Sequence, residues 1–291
     1  MLLPQPLAND LPPQQRAIAH VANLATGETI DRSLRVTVHF HPDRLYHNEP
    51  ILAAIARDGH WRSQFETGTS NGSLSAFHGG DRWNWESRIF GGAYDDTPPS
   101  SRPKYGALNF RGRPTGGSPR FGSAFLRLAE QTLDRTTFCF PDSVFEPKHF
   151  GVASRMSLTS IAQAADCDLL DDYIEAQIHG PLQLAEDVEA IVLDPCYKET
   201  EIEQRASRLP FPIEWHPGFR LSVDVLRCHS QYRGQEYVDL GCALARDGWL
   251  TPKHLGDASR TGQYDEQSLK RVWHYLARFG TYFDQPQIHL E

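Results

Sequence analysis

The sequence predicts an α+β protein built on a mixed or antiparallel sheet, with helices flanking it near both ends of the chain. Three observations point there. Alternating apolar stretches recur through the first two thirds, short turns join them, and the clearest 3.6-residue periodicity lies towards the two ends. A chain of 291 residues can bury a substantial core, and without repeats, low-complexity tracts or an evident linker it reads as a single domain, 1–291. Within it, 1–30 is expected to be an N-terminal helical segment, 31–200 the α+β core, and 201–291 a C-terminal part of strand and helices.

Taken in order, Pro12-Pro13 open a helix in which the apolar residues Ile18, Val21, Ala22 and Leu24 fall at roughly helical spacing. Residues 33–40 alternate Leu34, Val36, Val38 and Phe40 against Arg35, Thr37 and His39, the pattern of a strand with one buried face. Ile51, Leu52, Ile55 and Ala56 make a short helix that Gly59 stops. Further strands are expected at 121–128, 136–140, 172–179 and 188–194. A charged surface helix at 199–208 gives way at Leu209-Pro210-Phe211-Pro212 to a strand around 213–216. After a turn-rich stretch at 257–265, Leu269, Val272, Trp273, Tyr275, Leu276 and Phe279 define an amphipathic helix over 268–279.

Composition excludes several function classes. With 40% hydrophobic residues and no apolar run approaching the roughly 18 residues of a membrane helix, a soluble protein without a membrane partner is expected. Met1-Leu2-Leu3-Pro4-Gln5-Pro6 lacks the basic end and apolar stretch of a secretory leader. The five cysteines are odd in number, widely spaced and never in a Cys-x-x-Cys pair, so buried thiols in a reducing cytoplasm are the expectation. A net charge of -8 argues against a general nucleic-acid surface, while leaving room for a local basic groove.

Residues 61–126 stand out, with 11 of the chain's 22 glycines and seven arginines interleaved with Trp, Phe and Tyr. Glycine allows tight turns and close backbone approach, and arginine offers a planar fork for anions; the combination reads as a ligand site. No phosphate-loop or Gly-x-Gly-x-x-Gly string occurs, so the common nucleotide folds are not indicated. The stretch also shows no helical periodicity. Arg62 and Arg120 sit in compact polar strings and are the preferred anion binders, although Glu66, Glu86, Asp95 and Asp96 could instead partner the nearby arginines.

Several long strings carry a family resemblance: Val38-His39-Phe40-His41-Pro42-Asp43-Arg44, Arg62-Ser63-Gln64-Phe65-Glu66-Thr67-Gly68-Thr69-Ser70-Asn71-Gly72, Arg102-Pro103-Lys104-Tyr105-Gly106-Ala107-Leu108-Asn109, and Tyr173-Ile174-Glu175-Ala176-Gln177-Ile178-His179-Gly180. From about Gln15 to Gly280 the chain resembles a bacterial family known only as domain of unknown function 3626. It is more weakly similar to ADP-ribosyltransferase-like domains, in the order of Arg35 on the first strand, Thr67-Gly68-Thr69-Ser70 after a helix, and Glu175-Ala176-Gln177 on a late strand. That likeness implies an ADP-ribosyltransferase-like sheet and NAD as substrate, with a macromolecular acceptor of unspecified identity or water. It implies catalytic roles for Glu175 and Gln177, which share a strand face. Arg35, Arg62, Gln64, Thr67, Gly68, Ser70, Asn71, Tyr105, Gly106, Arg120 and Ser123 would bind the nucleotide. Two departures stand against it. Gln177 occupies the place of the usual catalytic Glu, and Gly68-Thr69-Ser70-Asn71 replaces Ser-Thr-Ser.

Two other classes remain open. His39 and His41, one residue apart on a strand, could share a metal with His179, His216 and Asp257 in a metal-dependent hydrolase, although no metal is favoured, since 61–126 supplies no barrel helices. The chain could also be a non-enzymatic nucleotide- or protein-binding module.

Overall fold

The computed structural model describes residues 11–68 and 74–280. Its centre is an eight-stranded mixed sheet formed by β1 (Val36–Phe40), β2 (Lys104–Leu108), β3 (Ala124–Leu128), β4 (Thr136–Phe140), β5 (His149–Val152), β6 (Ile174–Ile178), β7 (Val188–Leu193) and β8 (Ile213–Trp215). The spatial order is β8-β7-β3-β1-β2-β6-β4-β5. Every neighbouring pair is antiparallel except β7 and β8. The fold class is therefore α+β with a mixed sheet.

One seam of this sheet positions the site. β1 and β2 pair only at Val36 with Leu108 and Thr37 with Ala107. Beyond those pairs, β1 continues along β3 through Val38–Phe40, while Lys104, Tyr105 and Gly106 of β2 keep their pairing with β6 alone. The two strands splay apart, and a cleft opens between them. Gly106 sits where they part: a Cβ there would lie 2.7 Å from the Thr37 carbonyl oxygen, so a side chain would force the seam open.

The expected strands at 136–140, 172–179, 188–194 and 213–216 are present within a residue or two, and 121–128 is trimmed to begin at Ala124. β1 departs from expectation in being buried on both faces. Val36, Val38 and Phe40 enter the main apolar core with Leu126, Phe138, Ile174 and Ile178, while Thr37 and His39 are covered by the Gly116-Gly117-Ser118 turn, whose amides donate to them. Arg35 precedes the strand, and its guanidinium lies outside, paired with Glu189.

Helices Pro13–Leu24, Ile51–Asp58 and Glu266–Phe279 are present where expected, and Gly59 caps the second in the left-handed conformation; in the first, Ala17 and Val21 are the buried positions and Leu24 is exposed. The 61–126 stretch is a correction, for it contains the helix Asp81–Ile89 and the central strand β2. That helix escapes a hydrophobic pattern because Arg82 and Glu86 share its buried side with Trp85 and Ile89. The 257–265 stretch is likewise partly helical, inside Pro252–Thr261. A second core of Leu226, Val238, Leu255, Val272, Trp273 and Leu276 knits the C-terminal helices together. All five cysteines are free, but Cys167 and Cys228 are exposed rather than buried. No helix among the described residues is long and apolar enough to cross a membrane.

Candidate functional site

Two adjoining cavities occupy the seam. The outer one, about 160 Å³, is walled by β1, the Ile51–Asp58 helix, Trp61, Arg62, Gln64 and Thr67. The inner one, about 60 Å³, reaches Arg82, Ser118, Asp142 and Glu175. They meet at His39, Gln64 and Tyr105, which line both.

At the inner end β6 presents Glu175. Strand periodicity puts Gln177 on the same face, and the register sets Cys139 opposite Glu175 and Thr137 opposite Gln177. Gln177 Nε2 donates to Glu175 Oε1 at 3.0 Å, while its Oε1 accepts from the Thr137 hydroxyl at 2.9 Å. The amide thus lies beneath the acid and fixes it, lining neither cavity. Ser143 completes the cradle, donating to Glu175 Oε2 from its hydroxyl at 2.8 Å and its amide at 3.3 Å.

A buried cation completes the electrostatics. Arg82 Nη1 stands 3.8 Å from Glu175 Oε1 and donates to Ser143 Oγ at 2.8 Å. Its guanidinium lies 4.2 Å from the Tyr105 ring centroid. The Tyr105 hydroxyl donates to Glu86 Oε1 at 2.7 Å, and Glu86 accepts from Arg102 Nη1 at 2.6 Å. Each charge in this chain of contacts is buried and paired, as a low-dielectric interior requires.

Asp142 is the functional candidate that sequence reasoning missed. It follows the cis Phe140-Pro141 bond at the end of β4, lines the inner cavity with Glu175, and accepts from the Val144 amide at 2.6 Å and from the Tyr173 hydroxyl. Burial, and then the Glu175 charge, push its carboxyl up to about 7. Cys139-Phe140-Pro141-Asp142-Ser143 carries no local motif, so nothing in the linear string pairs this acid with Glu175.

Residues lining the inner cavity also carry polar atoms without a protein partner. Gln64 Oε1, Ser118 Oγ and Arg82 Nε are buried and make no hydrogen bond, and all three residues line the inner cavity. Leaving such groups unmet costs about 1–3 kcal/mol each, so their convergence is a feature of a polar ligand site rather than of a packed core.

The remaining sequence candidates distribute unevenly. Arg62, Gln64, Thr67 and Tyr105 line the outer cavity, and Tyr105, Gly106 and Gln64 the inner one. Gly68 caps the short turn Gln64–Thr67, next to Thr67. Ser70 and Asn71 lie outside the described residues. Arg35 stands apart with Glu189. Ser123 is buried against the Tyr197 hydroxyl and lines neither cavity. Arg120 opens into a different cavity, beside His41 and Trp273, and pairs with Asp171.

The histidines do not converge. His39 donates from Nδ1 to Gly122 O and accepts the Ser118 amide at Nε2, both at 3.2 Å, and burial holds it down to about 3. His179 is occupied by Tyr94 and Thr137, and His216 by the Ser123 carbonyl and the Gly218 amide. Asp257 pairs with Lys253 and Arg260. Among the described residues no group of three or more His, Cys, Asp or Glu is placed to hold a metal ion.

No curated protein matches the chain. The family described as a protein of unknown function, DUF3626, matches residues 35–165 and 152–279, so most of the chain is covered and the protein belongs to the DUF3626 family.

Proposed function

We propose that the seam is the active site of an enzyme that cleaves the N-glycosidic bond of a nucleotide, with NAD as the substrate, and passes the ADP-ribosyl group to water or to a macromolecular acceptor. The observation that carries the proposal is the meeting of two carboxylates, Glu175 and Asp142, in one small cavity whose lining residues also hold unpartnered polar atoms. The order of the Thr67-Gly68 turn and the Glu175 strand supports NAD in particular, through its likeness to ADP-ribosyltransferase-like domains.

The chemistry suits these groups. When the C1′–N bond breaks, nicotinamide departs with the bonding pair as a neutral base, so no acid is needed, and positive charge develops on the sugar. Glu175, fixed by Gln177, Ser143 and Arg82, is the anion that would stabilise it. The acceptor hydroxyl then forms the new C1′–O bond and gives up its proton. A carboxyl near 7 is matched to accept that proton at neutral pH, which assigns Asp142 as the base. Trp61, Tyr46 and Tyr105 offer flat surfaces for the rings, and Arg62, paired with Asp58 at 2.8 Å, a guanidinium at the outer end.

Calorimetry of the full chain with NAD, and chromatographic detection of nicotinamide, provide the test. Wild type should bind NAD and release nicotinamide, and Glu175→Gln should bind NAD but release nicotinamide at least about a hundredfold more slowly. Absence of both binding and release in the wild type would overturn the proposal.

A further inference from the structure

A third cavity, about 550 Å³, lies between the end of β1 and the C-terminal helices Pro252–Thr261 and Glu266–Phe279. Phe40, Tyr46 and Ile51 line both this cavity and the outer cavity of the seam, forming a common wall. Its charged lining is one-sided. Arg44, Arg120, Arg260 and Lys270 contribute cations, and Glu266 is the one carboxylate among the lining residues.

The bland account is that these cations merely close ion pairs. Arg44 does pair with Glu266, but Arg120 is held by Asp171 and Arg260 by Asp257, neither of which lines the cavity. Each of these two guanidiniums has five N–H donors and spends a single nitrogen on its carboxylate. Anchored from behind, they keep donors for whatever enters in front.

Cations outnumber carboxylates in this lining, although the whole chain carries -8. Apart from burial, the charges that hold Lys270 below the ordinary lysine range are Arg120 and Arg271, both cations. His274 is pushed down to about 3 by burial and then by Arg120, Arg233, Lys270 and Arg271. His274 does not itself line the cavity, and both of its ring nitrogens are buried without a partner. A concave site with like charges gathered against their mutual repulsion is stabilised when an anion arrives.

We infer that this cavity is an anion site for a phosphorylated small molecule, held through its phosphoryl oxygens by Arg44, Arg120, Arg260 and Lys270. Planar guanidinium forks match phosphoryl oxygens better than they match a lone halide, and several cations at one cavity suit a diphosphate better than a single carboxylate. The inference concerns a cavity separate from the seam and does not rest on cleavage of NAD there.

Pyrophosphate is the probe, titrated calorimetrically into the full chain at low and at near-physiological ionic strength. Saturable one-to-one binding is expected, weakening with salt. Lys270→Met should weaken it at least about tenfold, the usual scale for one charge-assisted contact. Gln267→Glu, at an exposed lining position, should weaken it at least about fivefold by adding a carboxylate. Arg127→Ala, at a pair with Glu189 and Glu214 away from the cavity, should stay within about twofold. Parallel titrations with ADP and adenosine identify the source: ADP tighter than pyrophosphate indicates a nucleotide, equal affinities a free phosphoryl group. No saturable binding of pyrophosphate or ADP, or unchanged affinity in both Lys270→Met and Gln267→Glu, would overturn the assignment.

Discussion

Replacing Asp142 with Asn should stabilise the protein at alkaline pH while removing the proposed base. The carboxyl is raised from 3.8 to about 7, first by burial and then by Glu175. Its folded pKa exceeds its unfolded one, so the folded chain holds this proton more tightly. The associated stability is complete below about pH 4 and is lost as pH climbs through 7. At pH 8 the folded chain carries an ionisation cost on the order of 4 kcal/mol, at about 1.4 kcal/mol for each pH unit between the two values. Asn keeps an oxygen for the Val144 amide but presents no carboxylate to the Tyr173 hydroxyl, a loss of about 1 kcal/mol. The variant should therefore gain roughly 2–3 kcal/mol over wild type at pH 8 and match or trail it at pH 4.5. Urea midpoints measured from pH 4.5 to 8.5 give the comparison. In the same samples nicotinamide release by wild type should rise through an apparent pKa near 7, and the more stable variant should be slow throughout. A wild type and variant whose stability difference is the same at pH 4.5 and pH 8 would refute the reasoning.

Two further substitutions probe the seam. Gln64→Leu removes an amide oxygen that is buried without a partner, so thermal unfolding of the ligand-free protein should show a gain of about 1 kcal/mol while affinity for NAD falls; a loss of stability would mean that the amide is satisfied in the folded protein. Arg102→Met leaves Glu86 buried opposite Tyr105 without its cation, and denaturant unfolding should register a loss on the order of 3–5 kcal/mol. A change below about 1 kcal/mol would place that pair among the dispensable ones.

What could be read from the sequence divides along a physical line. Strands β4, β6 and β7 and the C-terminal helix were legible because one face of each is apolar at the period of the element, as in Phe138 and Phe140 of β4, Ile174, Ala176 and Ile178 of β6, and Leu269, Val272, Trp273 and Leu276 of the helix. The Asp81–Ile89 helix and β2 were not, and both build the site. The helix turns Arg82 and Glu86 inward, so its buried stripe mixes charge with Trp85 and Ile89 and shows no hydrophobic period. β2 reads Lys104-Tyr105-Gly106-Ala107-Leu108, with a buried lysine whose Nζ donates to the carbonyls of Ser100, Arg102 and Gly180, and with a glycine that only the seam explains.

The arginines of 61–126 separate on the same grounds. Arg102 is an internal strut for Glu86, Arg111 and Arg113 converge on Asp172, and Arg120 opens into the basic cavity. Arg62 and Arg82 alone among these reach the seam, one at its mouth and one against Glu175. Their spacing in sequence says nothing about this sorting, because it is set by which carboxylate each meets across the fold, and those carboxylates lie up to 93 residues from the arginine concerned, as Glu175 does from Arg82. The glycine- and arginine-rich stretch is thus less a binding loop than a scaffold: its ion pairs hold the parted strands in place, and the cleft exists because β1 and β2 are each committed to another neighbour beyond Thr37 and Ala107.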